Sequence, residues 1–68
     1  MKVFGERLKE LRLEKGLTQG QLAEHFFVNQ VTIVDWERRD NEPNFETLVK
    51  LAKFFDVSTD YLLGLSDD

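Results

Sequence analysis

A chain of 68 residues holds one domain and sits near the lower limit at which an apolar core is stable without disulfides or metal. Cysteine is absent and histidine occurs once, so no disulfide framework and no Cys/His zinc site can form, and no acid–base constellation for catalysis is evident. The formal net charge is −4, with the acid placed late: residues 1–28 carry five basic and four acidic groups, residues 29–44 two and four, and residues 45–68 two and five.

The chain is charged from Lys2 onward and has no long apolar run, so neither a signal peptide nor a membrane span is expected, and the cytoplasm is the expected compartment. Phe4, Leu8 and Leu11 recur at helical spacing and predict a first helix over about residues 4–15, with Gly16 as its left-handed cap. Arg12 stands at the rim of that stripe. Leu13 lies off it, and Glu6, Lys9 and Glu10 take the wet side. Thr18-Gln19-Gly20-Gln21 reads as a capping box, Thr18 capping and Gln21 reaching back. It opens a second helix that runs to Phe26, with Leu22 and Phe26 four apart and the small Ala23 between them. Gly20 costs this first turn up to about 1 kcal/mol against alanine. His25 falls on the exposed face and reads as a surface residue rather than a ligand.

Phe27-Val28-Asn29 breaks the period, and Asn29 is a natural N-cap for a third helix over Gln30 to Arg38. Ile33, Trp36 and Glu37 share one side of it by i, i+3, i+4 spacing. Val31, Val34, Asp35 and Arg38 take the opposite side, with Gln30 at its leading edge. Two short helices crossing closely at a small residue, joined by a three-residue break, make a helix-turn-helix unit. A helix held by its back and projecting its front can enter a DNA major groove.

A polar loop, Arg39-Asp40-Asn41-Glu42, closes on Pro43. Asn44 caps a fourth helix over residues 45–55 that turns Leu48, Leu51, Ala52 and Phe55 to the core. Ser58 caps a last helix over residues 59–63, ended by Gly64. The expected fold is an all-α bundle of five short helices, with the domain at residues 1–64 and a tail or linker start at 65–68. Catalysis has no support, and no cofactor or small-molecule substrate is indicated.

The elements Gly5-Glu6-Arg7-Leu8-Lys9, Leu17-Thr18-Gln19, Leu22-Ala23-Glu24, Thr32-Ile33, Trp36-Glu37-Arg38, Leu51-Ala52-Lys53 and Leu62-Leu63-Gly64 occur in order over nearly the whole chain. In this frame the sequence resembles the lambda-repressor-like (XRE-type) helix-turn-helix proteins. The resemblance implies a sequence-specific regulator of transcription, a repressor, that binds double-stranded DNA as a homodimer. One short helix sees few base pairs, so two half-sites about one helical turn apart are needed.

It further implies that Asn29, Gln30, Val31 and Thr32, with Val34 and Asp35 one turn on, face base edges. Gln30 can give and take a hydrogen bond with adenine at N6 and N7 together. Gln19 is implied as a phosphate contact at a helix N-terminus. Arg38 and Arg39 are the basic pair nearest the groove, and Asn41 and Asn44 are further candidates. Arg12 and Glu37 are expected to form a partly buried ion pair. Phe27 stands where the family has glycine, which predicts a positive φ relieved by partial burial of its ring, or else a turn built differently; Asp56 also occupies a frequent glycine position. Tyr61, Leu62 and Leu65 are candidates for the dimer contact. A competing reading is a protein-interaction module, an antitoxin or regulatory partner, with Val31, Val34 and an exposed Phe27 or Phe54 as its apolar patch.

Overall fold

The computed structural model describes residues 2–38 and 41–67, which form five α-helices and no strand. They are α1 (Lys2–Glu14), α2 (Gln19–Phe26), α3 (Gln30–Arg38), α4 (Phe45–Phe55) and α5 (Thr59–Leu63). The fold is an all-α bundle, as the sequence predicts. Each helix sends at least one side chain into one core: Phe4, Leu8 and Leu11 from α1, Leu22 and Ala23 from α2, Ile33 and Trp36 from α3, Leu48, Leu51, Ala52 and Phe55 from α4, and Leu62 from α5. Leu62 is fully buried, which removes it from any dimer contact; the apolar side chain left in the open beside it is Leu65.

Among the described residues, α1, α2, α4 and α5 end on the same backbone device. A residue one or two places past the helix turns left-handed, and the N–H after it reaches back five residues. Gly16 and Leu17 do this for α1, Phe27 and Val28 for α2, Asp56 and Val57 for α4, and Gly64 and Leu65 for α5. In each case the pair of bonds satisfies two carbonyls that the helix leaves open. Leu17, Val28 and Val57 then pack against the core. The starts of α2, α4 and α5 are equally local in origin. Thr18 Oγ1 accepts from the Gln21 N–H at 3.0 Å while Gln21 Oε1 accepts from the Thr18 N–H at 2.9 Å. Asn44 and Ser58 cap α4 and α5 through the N–H groups of Thr47 and Tyr61.

Two details differ from expectation. α1 begins two residues before the expected start and stops one before the expected end, because Val3 has Gly64 to pack against and Gly16 turns the chain away after Lys15. Asn29 enters α3 through its backbone, its carbonyl accepting from the Thr32 N–H at 2.9 Å, and its side chain closes no cap among the described residues.

α1 crosses α3 at backbone distance. A Cβ built on Gly5 would stand 2.7 Å from the carbonyl oxygens of both Trp36 and Glu37, so only glycine fits there. At the far end of the chain, Arg7 of α1 stacks on the Tyr61 ring at 4.2 Å and donates to the carbonyl oxygens of Tyr61 and Ser66, the latter at 2.7 Å. Its guanidinium also lies 3.6 Å from the Asp67 carboxylate. Residues 65–67 are thereby tied to α1.

Candidate nucleic-acid interface

α3 is fixed from behind by three independent means. Ile33 and Trp36 are buried in the core. Gly5 brings α1 against its last turn. Glu37, on the same side, forms a forked pair with Arg12, Nε to Oε2 at 2.7 Å and Nη2 to Oε1 at 3.2 Å. Both side chains are more than nine-tenths buried. The remaining Arg12 nitrogen donates to the Leu17 carbonyl at 2.8 Å, so the desolvated cation spends its donors on fixed acceptors.

The front of α3 is accessible. Asn29, Gln30 and Val31 are exposed, while Thr32, Val34 and Asp35 are half-buried along the next turn. Arg38 is exposed in the last turn, where its charge also suits the helix dipole. Among the expected phosphate contacts, Gln19 is half-buried and its amide nitrogen donates to Glu37 Oε1 at 3.2 Å. Asn44 Oδ1 is occupied by the Thr47 N–H at 2.8 Å, which leaves its amide nitrogen for an acceptor outside the chain. Asn41 is exposed. Arg39 lies outside the described residues, as does Asp40.

The turn between α2 and α3 departs from expectation at one ring. Phe27 has φ +55°, the left-handed value foreseen, but its side chain is 96% exposed rather than partly buried. The apolar patch foreseen for a protein partner also shrinks. Phe54 is packed among His25, Phe26 and Phe55, with ring centroids 4.9–5.4 Å apart, and Lys15 covers its face at 5.0 Å. Only Phe27 and Val31 of that group are exposed. Sequence reasoning missed the bond from Gln19 to Glu37 and the seat of Arg7. Both join residues far apart along the chain, and nothing in local spacing marks them.

The helix-turn-helix family profile matches residues 8–62. The HTH-type transcriptional activator BcrR of Enterococcus faecalis is 47% identical over 61 residues, 90% of this chain and 30% of that protein. The HTH-type transcriptional regulator ImmR of Bacillus subtilis (strain 168) is 43% identical over 61 residues, 90% of this chain and 48% of that protein. The chain therefore spans less than half the length of these two relatives. Among solved structures, the P22 c2 repressor protein in complex with synthetic operator 9T superposes with a TM-score of 0.86 at 36% identity, covering 97% of this chain and all of that one. By sequence and by fold alike, the chain belongs to the helix-turn-helix family, in its lambda-repressor-like form.

Proposed function

We propose that the chain binds duplex DNA sequence-specifically and regulates transcription as a repressor, working in the cytoplasm as a homodimer with α3 in the major groove. The observation that carries this reading is the division of α3 into a rigidly held back and an open front. A recognition element must keep its pose while its face is exchanged between water and bases, and α3 meets both conditions. The superposition on a repressor–operator complex supports the same assignment.

In this reading Gln30 pairs with an adenine, Val31 touches a thymine methyl, and Asp35 accepts from a cytosine amino group. Asn29, Thr32 and Val34 complete the face toward the bases. Gln19, Arg38, Arg39, Asn41 and Asn44 hold the phosphates on either side. The acidic balance of −4 lowers non-specific attraction and places the burden on these contacts.

A salt titration on a selected and a scrambled duplex tests the assignment. Arg38→Ala weakens binding to both duplexes and shallows the slope of log K against log salt by about one for each phosphate it no longer neutralises. Gln30→Ala costs about 1–3 kcal/mol on the selected duplex and little on the scrambled one. Asp35→Asn raises binding to the scrambled duplex by removing a negative charge that faces the groove, and blurs preference at the cytosine it reads. A wild-type chain with neither sequence preference nor salt dependence overturns the DNA reading. The exposed Phe27 and Val31 then become the surface to test against a protein partner.

A further inference from the structure

Gly20 is the one glycine whose presence neither backbone nor space explains. Its φ is not positive, unlike those of Gly16 and Gly64, and the gap above it is not closed as it is at Gly5. What lies over it is the side chain proposed to read a base. A Cβ on Gly20 would stand 3.4 Å from Gln30 Oε1, 3.9 Å from Gln30 Cδ and 3.9 Å from Thr18 Oγ1, distances of ordinary van der Waals approach. The Gln30 amide thus rests over the first turn of α2 with no side chain beneath it. No hydrogen bond among the described residues holds it there. The Gln19 amide nitrogen, from the residue next to Gly20 in the chain, donates to Glu37.

We infer that Gly20 is a positioning residue for base readout. Its missing side chain leaves the Gln30 amide free to roll over the turn, and so broadens the base preference at the step Gln30 reads. The inference rests on the DNA reading above. A methyl group at position 20 fits beside the amide without displacing it and restricts its rotamers before binding. Freezing one such side chain in advance is worth roughly two- to tenfold in binding.

The test is selection of bound duplexes from a random pool by wild type, Gly20→Ala, Gln30→Ala and the double variant. Alongside it, NMR order parameters of the Gln30 side-chain amide are measured in the free proteins. Gly20→Ala is expected to sharpen preference roughly two- to tenfold at the base step that Gln30→Ala abolishes, and to leave other steps unchanged. The double variant should match Gln30→Ala, and the order parameter should rise from wild type to Gly20→Ala. A purely structural gain in α2 shifts affinity for every duplex alike. That result, a weakened preference at the Gln30 step, a change that persists without Gln30, or an amide already rigid in wild type overturns the inference alone. A wild type that selects no sequence overturns the DNA reading and the inference together.

Discussion

Phe27 combines a left-handed backbone with a ring that touches almost nothing, φ +55° and 96% exposure. An L-residue in this region costs about 1–2 kcal/mol because Cβ crowds the following carbonyl. No burial of the ring offsets it. Glycine removes the crowding but gives the unfolded chain more freedom, roughly 0.5–1 kcal/mol in the other direction. Phe27→Gly is therefore expected to stabilise the domain by up to about 1 kcal/mol, seen as a rise of several degrees in a thermal melt. A fall would mean that the exposed ring has a packing role the free chain does not show. Asp56 has the same φ, but a short polar side chain tolerates it, so Asp56→Gly should gain less. The left-handed backbone at Phe27 is foreseeable only through the family resemblance, which places glycine there. The fate of the Phe27 ring is not, since it depends on which neighbours the turn brings near.

Between elements, α1 and α3 make the contact that aims the proposed recognition face. Gly5→Ala drives a methyl group onto two backbone oxygens at 2.7 Å, and neither can rotate away. The helices must part, at a cost of about 1–3 kcal/mol. Urea unfolding should show a lower midpoint with an unchanged slope. An unchanged midpoint would show that the crossing has slack. Arg12→Ala strands the Glu37 carboxylate in a nearly dry site and should cost about 3–5 kcal/mol, with Glu37→Ala similar. Replacing both, Arg12→Met with Glu37→Leu, should recover most of that loss, because an apolar pair of like volume needs no desolvation. If the double variant is no better than the singles, the pair is worth more than its isosteres. This ion pair is legible without the fold, as a charge at the rim of each of two apolar stripes. The glycine crossing is not, because one glycine in a helical stripe looks the same whether or not a second backbone lies on it.

For the molecule as a whole, the informative side chain is Arg7, whose reach from the first helix to the last segment no periodicity reports. α5 illustrates the same limit: five residues are too few to show a stripe, which is why Leu62 reads as a surface candidate in the sequence although it is wholly buried. A helix of this length has no stability of its own. It persists because Leu62 fills the core and because Arg7 holds the carbonyls of Tyr61 and Ser66. The two ends of the described chain therefore share one opening event. In native-state hydrogen exchange, the α5 amides should open with the same free energy as those of α1 rather than fraying ahead of them. Arg7→Ala should uncouple the two, exposing α5 to exchange early while the α1 and α3 amides stay slow. If α5 exchanges early in the wild type, the bridge from Arg7 is too weak to join them. If α1 and α5 open together, the helix that backs α3 at Gly5 stays in place for as long as the last segment does.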